Sequence, residues 1–354
     1  MRLNDLIKQT CEWLKCSGPY SNIVISSRVR LARNLKGIPF SHWADTKKKE
    51  EVLMKVKDAV SSSSYTKNAL FLYMADLNNL DKQFLIERHL ISKEHALRAN
   101  HKAVIVGDQE ILSIMINEED HLRTQVMQSG FNLDEAWQII KRIDKDFEKK
   151  LDFAYSEDWG YLTACPTNTG TGLRASVMLH LPALVMSKQI NKVLQAITKL
   201  SLTARGFYGE GTEASGNFFQ ISNQVTLGHS EEDLLDNINR IIKQVIGHEQ
   251  NARRALFEQD RSRIEDRIWR AFATLKNAHI ITSKEAVDLF SSVRLGVDMG
   301  ILKGLDIQTI NKIFIYIQPA HLQKLEGKTF SAQERDVKRA EFIRKELAKD
   351  MEDK

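Results

Sequence analysis

Five arginines stand near the ends of apolar runs. They are Arg28 and Arg30 in SSRVR, Arg123 after NEEDHL, Arg174 after TGTGL, and Arg205 before GFYGE. A guanidinium presents a planar fork of donors that suits phosphate oxygens two at a time. In an extended segment Arg28 and Arg30 project to the same side. Taken singly, each is more commonly a surface or ion-paired arginine. Two acidic clusters accompany them. NEEDH packs Glu118, Glu119 and Asp120 together, and adjacent carboxylates repel unless cations share the site; a solvated turn is the plain alternative. YGEGTEASG sets Glu210 between Gly209 and Gly211, which permit a tight backbone; an ordinary loop is the alternative. Cys165 opens CPTNTGTGLRASV, either as a nucleophile or as a small buried hydrophobe. No G-x-x-x-x-G-K-[ST] loop is present, and no G-x-G-x-x-G follows a strand. Any phosphate must therefore be held mostly by side chains.

These residues need elements to position them. Residues 4–16 read as a short amphipathic helix ended by SGPY. NIVISSRVRLARN reads as a strand breaking into an arginine-rich segment. Val52, Val56 and Val60 repeat at helical spacing over 47–60, and Ser61–Ser64 follow as a loop. Residues 101–121 read as strand, turn, strand. NLDEAWQIIKRIDKDFEKKL is a helix, LRASVMLHLP a strand, LVMSKQINKVLQAITKLSLTARG a helix ending near Gly206, and NFFQISNQVTLG a strand. At Ser230 the pattern changes. Ser230 and Asp233 form an N-terminal capping signature, and Leu234, Ile238, Ile241, Ile242 and Val245 make one stripe. Beyond it the periodicity is almost wholly helical, so an α/β region precedes a helical one.

Composition limits the possibilities. The 354 residues carry 51 basic and 46 acidic side chains, a net charge of +5, too mild for a nucleic-acid footprint. Three cysteines, Cys11, Cys16 and Cys165, argue against a disulfide framework and for a reducing compartment. The amino terminus has no apolar signal region, and no apolar run approaches a membrane span. A cytoplasmic protein without membrane or direct nucleic-acid contact is expected.

Taken together, SSRVRLARN, INEEDHLR, CPTNTGTGLRASV, RGFYGEGTEASGNFFQISN and LGHSEEDL resemble the phosphagen (guanidino) kinase family in order and spacing, over about residues 20–250. The resemblance implies an α+β fold: an antiparallel β-sheet flanked by helices, followed here by an all-helical C-terminal domain. The implied division is a helical extension at 1–20, a catalytic domain at 21–250 and a helical domain at 251–354. It implies transfer of the γ-phosphoryl group of ATP to a guanidinium nitrogen, with Mg²⁺ bound through the nucleotide and no other metal. The implied ATP-binding residues are Ser26, Ser27, Arg28, Val29, Arg30, His89 of ERHLIS, Arg123, Arg174, Ala175, Ser176, Val177, Met178, Arg205, Gly206, Phe207, Tyr208, Gly209 and Glu210. Glu119 and Glu210 resemble the pair that holds the guanidinium, and Cys165 the reactive cysteine. The chemistry is consistent with that: a guanidinium has a pKa above ~12 and is a poor nucleophile until carboxylates align it and accept its proton. A thiolate would add negative charge facing the cation.

The chain also departs from the phosphagen pattern. The first motif begins near residue 22, with no small helical domain ahead of it, and Gln220 stands where an acid is frequent. Without that domain a more open site, able to admit an arginine displayed on a protein, is expected. The arrangement resembles the bacterial protein-arginine-kinase branch of the family. RDVKRA, with Arg335, Asp336, Arg339 and Ala340, resembles that branch's phosphoarginine-sensing allosteric element. Arg335 and Arg339 are helical neighbours and could clamp a phosphate while Asp336 takes a guanidinium; a solvated helix face is the alternative. The branch implies a homodimer joined through the helical domain, protein substrates with exposed arginine, inactivation of a heat-shock repressor, a zinc-binding activator protein, and delivery of marked proteins to a Clp-type unfoldase protease. A phosphagen kinase acting on free arginine and a non-catalytic phosphoarginine-binding adaptor are the alternatives.

Overall fold

The computed structural model describes residues 3–206 and 215–352. Its central element is β1 (Val24–Arg33), a strand that opens on the β-branched Val24 and Ile25 and runs through both arginines. Seven more strands join it: β2 (Leu70–Tyr73), β3 (Ala103–Val106), β4 (Leu112–Ile116), β5 (Leu122–Ser129), β8 (Leu173–His180), β9 (Leu202–Gly206) and β10 (Phe218–Asn223). The order across the sheet is β2-β3-β4-β5-β1-β8-β10-β9, with every neighbouring pair antiparallel. A small hairpin, β6 (Tyr155–Ser156) and β7 (Gly160–Tyr161), stands apart.

Strand alternation gives the sheet two unlike faces. Val29, Leu31, Val126, Leu173, Ala175, Val177 and Ile221 point to one face and are fully buried or nearly so. They pack with the helices Leu133–Glu148 and Glu231–Gln259 into the largest apolar core. Full burial of a side chain the size of Val or Leu contributes about 1.5–3 kcal/mol, so this layer fixes which residues must turn the other way. Directly opposed residues of an antiparallel pair share a face. On the second face Arg30 stands between Gln125 and Arg174, Ala32 opposite Arg123, and Arg28 between Met127 and Ser176. Ser26 opposes Met178, Met178 opposes Gln220, and Gln220 opposes Arg205.

One end of this second face is covered. Ile25, Met127, Met178 and Phe218 form a second core with Trp13, Leu14 and the helices Arg261–Asn277, Ser283–Asp298, Ile307–Tyr316 and Ala332–Glu352. The helical region thus packs directly against the sheet. His180 bonds Ser291 at 2.8 Å, Asn217 donates to Ser291 at 2.7 Å, and Gly216 N–H donates to Asp288 at 2.7 Å.

Three segments differ from expectation. Residues 4–16 are a short helix, Asp5–Lys8, and a separate turn, Glu12–Leu14. The break lets Cys11, Trp13 and Leu14 all enter the second core. The run expected as one helix up to Gly206 is two helices, Pro182–Met186 and Ile190–Lys199, followed by β9. Lys188 and Ser201, both at positive φ, turn the chain at the two breaks. Ser61 and Ser62 extend the helix Thr46–Ser62, their hydroxyls donating to the carbonyls of Lys57 and Asp58.

Candidate active site

Arg28, Arg30, Arg123, Arg174 and Arg205 come from four strands and share the second face of the sheet. Their charges crowd one another. Burial pulls the Arg30 guanidinium far below its ordinary range, with Arg28, Arg123 and Arg174 pushing the same way. Arg28 is lowered to about 10 by burial, then by Arg123 and Arg174. Arg174 is lowered by burial, then by Arg205 and Arg123, while the nearby Cys165 pulls it back up. Five cations on one surface, with Arg123 and Glu118 their one carboxylate pair among the described residues, leave a deficit of negative charge. Among the described residues, the buried Nε atoms of Arg30 and Arg174 have no hydrogen-bond partner. Such a surface fits a polyphosphate.

The narrow run of polar partners fits as well. Arg28 Nε donates to Ser176 Oγ at 3.4 Å and Arg174 Nη2 to Ser222 Oγ at 3.2 Å, which spreads the arginines along the face. Ser26 and Met178 share it. The contiguous runs expected at the nucleotide therefore thin to alternate residues. Ser27, Val29, Ala175 and Val177 turn their side chains to the opposite face: Ser27 donates to Gly130 O at 2.8 Å, and the other three lie in the apolar core. They frame the site without lining it. His89 follows the helix Asn79–Glu87, its ring 5.4 Å from that of Trp13; burial, then Arg28, lowers its pKa to about 3. It is therefore neutral. The neighbouring Arg88 makes a fully buried ion pair with Glu110, and Glu87 accepts the backbone N–H groups of Ala320 and His321 at 2.9 and 3.0 Å. These three residues, unmarked by the sequence reading, fix the segment that carries His89.

The acidic turn after β4 sorts its three carboxylates by partner. Glu118 accepts Arg123 Nη1 at 2.7 Å and the Ser92 hydroxyl at 2.6 Å. Burial would raise it, but Arg123, Ser92 and the Glu119 N–H hold it at about 2. Asp120 is buried and accepts Asn34 Nδ2 and the backbone N–H of Ala164, each at 2.7 Å. Glu119 is exposed, and burial of part of its surface with Asp120 and Glu118 beside it raises its pKa. So two of the three acids are structural, and Glu119 alone is exposed and able to take a cation or a proton. Asp120 meanwhile holds the loop that begins at Ala164 and contains Cys165.

That loop is built tightly. Thr163 Oγ1 donates to Cys165 O at 2.7 Å, and Thr226 Oγ1 reaches both Thr167 O and Thr169 O, at 2.9 and 2.7 Å. Gly170 and Gly172 adopt φ of 111° and 65°, and a Cβ on either would meet a backbone oxygen at 2.6 Å. The glycines make the close turn that feeds Arg174 into β8. The free Cys165 thiol lies 3.0 Å from Thr167 Oγ1. Gly206 ends β9. Phe207, Tyr208, Gly209 and Glu210 lie outside the described residues.

The RDVKRA segment lies in the helix Ala332–Glu352. Arg339 is 1 % exposed; its Nε donates to Ile317 O and its Nη1 to Ile281 O, both at 2.9 Å, and it also pairs with Asp336. Arg335, half-buried, donates to Phe330 O at 2.9 Å, and Ala340 sits in the second core. The expected open clamp is thus closed on itself: Asp336 is held by Arg339, whose donors tie together helix ends. Among the described residues no cluster of His, Cys, Asp or Glu could hold a metal ion.

An antiparallel sheet with an arginine-lined face beside an acidic turn and a cysteine loop suits a phosphotransferase that binds a polyphosphate. Residues 51–252 match the model of the ATP:guanido phosphotransferase C-terminal catalytic domain, and residues 261–354 match the protein-arginine kinase McsB C-terminal domain. The chain is 49 % identical over 348 residues to a protein-arginine kinase of Halothermothrix orenii, covering 98 % of this chain and 99 % of that one. It is 48 % identical to the one of Pelotomaculum thermopropionicum, covering 95 % of each. The solved structure of lombricine kinase superposes with a TM-score of 0.59 at 25 % identity, covering 70 % of this chain and 75 % of that one. The chain belongs to the protein-arginine kinase family. It is an enzyme of the phosphotransferase class, and ATP is its phosphoryl donor.

Proposed function

We propose that the enzyme transfers the γ-phosphoryl group of ATP to arginine side chains on other proteins, with Mg²⁺ carried in on the nucleotide. The observation that carries this reading is the juxtaposition of a cation-rich sheet face with an exposed carboxylate, Glu119, whose turn is bonded to the loop of Cys165. Arg28, Arg30, Arg123, Arg174 and Arg205 neutralise the phosphates, and His89 lies beside the nucleotide. Mg²⁺, when bound, supplies further charge neutralisation on the phosphate oxygens. Glu119 and Glu210 orient the guanidinium through forked hydrogen bonds. A raised carboxylate pKa favours Glu119 as the acceptor of the proton lost when nitrogen attacks. Cys165 adds negative charge facing the cation and forms no covalent intermediate. Most of the rate enhancement then comes from positioning and electrostatics.

On the same reading the phosphoarginine product marks proteins for a Clp-type unfoldase protease and inactivates a heat-shock repressor, under a zinc-binding activator protein, in the cytoplasm. The helical region would serve as the homodimer contact. Arg335, Asp336, Arg339 and Ala340 would sense phosphoarginine, with Asp336 exchanging Arg339 for the ligand. The full-length similarity to proteins named protein-arginine kinase supports a protein rather than a free amino acid as acceptor. The test is a parallel incubation with ATP and Mg²⁺ of an arginine-bearing protein and of free arginine, read by mass spectrometry under neutral conditions. Phosphoarginine on the protein alone is expected. Equal turnover of free arginine would favour a phosphagen kinase, and nucleotide binding without any product a non-catalytic adaptor.

A further inference from the structure

The segment between β1 and the helix Thr46–Ser62 is tied to the acidic turn and carries three aromatic rings. His42 and Trp43 have ring centroids 4.5 Å apart, Phe40 and Trp43 6.1 Å, and Phe40 and His42 6.2 Å with planes only 16° apart. Trp43 is 74 % exposed, more than any other large hydrophobic side chain among the described residues. A lone exposed hydrophobe needs no explanation, but this one stands on a backbone that is pinned on both sides. Ile38, Ser41 and Ala44 are buried. The N–H groups of Trp43 and Ala44 both donate to Phe40 O, at 2.8 and 2.9 Å. Asp45 then caps the helix by accepting Lys48 N–H.

The anchor of this segment is the acidic turn itself. Leu35 N–H donates to His121 Nδ1 at 3.0 Å, which leaves His121 Nε2 as the donor to Pro39 O at 2.9 Å. Asn34 bonds Asp120 and the His121 N–H. Glu119 lies immediately before these two residues, so one turn positions both the carboxylate and the rings. His42 is near enough to act on the Glu119 carboxyl, partly offsetting its upward shift.

We propose that Phe40, His42 and Trp43 form a docking surface for the polypeptide that flanks the acceptor arginine. The inference rests on Glu119 as the guanidinium-binding carboxylate. An arginine side chain held at Glu119 carries its backbone outward past the segment that the same turn anchors, where His42 lies within electrostatic reach of the carboxyl. Free arginine would set an α-carboxylate against ring faces of negative potential, whereas a peptide sets neutral amides and neighbouring side chains there. An exposed indole offers a large, rigid contact area at low conformational cost, as binding surfaces for varied peptides require.

The test uses the full chain with Trp43→Ala and Trp43→Phe, a fluorescent peptide carrying one arginine, and N-acetylarginine amide as the minimal acceptor. Peptide Kd is read by anisotropy, and KM by phosphoarginine formation. Trp43→Ala is expected to raise peptide Kd and KM about five- to tenfold relative to N-acetylarginine amide, and Trp43→Phe to recover most of that. Unchanged peptide Kd and KM, an equal change for N-acetylarginine amide, or no peptide binding by the parent chain would overturn the proposal. A parent chain that makes no phosphoarginine yet binds peptide in a Trp43-dependent way would sink the kinase reading and leave the docking surface standing.

Discussion

The carboxylate of Asp120 accepts the backbone N–H of Ala164 at 2.7 Å, joining the turn of Glu119 to the loop of Cys165 across 44 residues of sequence. The same oxygen accepts Asn34 Nδ2 at 2.7 Å, so the end of β1 is held to both. A buried acceptor that serves two donors is costly to remove, about 1–3 kcal/mol per donor left bare. Asp120→Ala should therefore lower stability by a few kcal/mol and cut phosphoryl transfer far more than it weakens ATP. Asp120→Asn keeps an oxygen in place and should restore most of both. Denaturant melts with transfer assays and nucleotide titrations check this; equal loss of ATP affinity and transfer would show that the tie does not act on the acceptor side.

Mutual repulsion among the arginines predicts a trade between stability and binding. Arg30 is pressed by burial and by three neighbouring cations. Arg30→Met should raise the Tm of the nucleotide-free protein, by about 2–4 °C if 1 kcal/mol of strain is relieved, and should abolish the further rise on adding ATP. Thermal melts with and without nucleotide decide it. A lower Tm in the free variant would mean that Arg30 is stabilising in a way the crowding does not capture.

Two neighbouring carboxylates should titrate in opposite directions. Glu119 is raised above its ordinary value of 4.5, chiefly by burial and by Asp120 and Glu118. Transfer that needs its carboxylate must fall as pH drops through that raised pKa, so the acid limb of kcat/KM should lie above 4.5. Glu118 is held at about 2 against burial by Arg123, Ser92 and a backbone N–H. A depressed folded-state pKa stabilises the fold above the unfolded value near 4.5, and that stability drains away as pH falls toward 2. Glu118→Gln should flatten stability across that window, as measured by denaturant melts. A wild-type profile with no slope there would contradict the pairing.

The RDVKRA residues should separate by burial. Arg339 spends its donors on Ile281 O, Ile317 O and Asp336 in the interior. Arg339→Ala should cost about 2–4 kcal/mol by stranding those acceptors, whereas Arg335→Ala, which loses one bond to Phe330 O, should leave the Tm within about a degree or two. Differential scanning calorimetry distinguishes them. Only Arg335 is then a clean probe of the proposed phosphoarginine sensing, because any functional loss in the Arg339 variant would mix a sensing defect with unfolding.

Much of this architecture was legible in sequence because it rests on period and punctuation. The alternation of β1 put Arg28 and Arg30 on one side, and the Ser230–Asp233 capping box starts the long helix where expected. Other features depend on contacts that no local pattern carries. Arg205 reads as a helix end because LQAITKLSLTARG keeps apolar residues at helical spacing, and only the turn at Ser201 and pairing with β10 make it a strand. By charge pattern alone NEEDH reads as three equivalent acids, and only the family resemblance singles out Glu119; their separation into a paired, a structural and an exposed carboxylate comes from Arg123, Asn34 and Ala164. The RDVKRA arginines read as alike by spacing, yet tertiary packing buries one and leaves the other half-exposed.

The central claim is that the arginine face delivers a phosphoryl group to an arginine held at Glu119. Its most direct test is ³¹P NMR at neutral pH of the full chain with ATP, Mg²⁺ and an arginine-bearing protein, followed by acidification, run beside Glu119→Gln. The account predicts a phosphoramidate resonance that grows as ATP is consumed, disappears in acid, and is lost in the variant although the variant still binds ATP. A wild-type sample that binds ATP and yields no such resonance, or a variant that yields it at the wild-type rate, would contradict it.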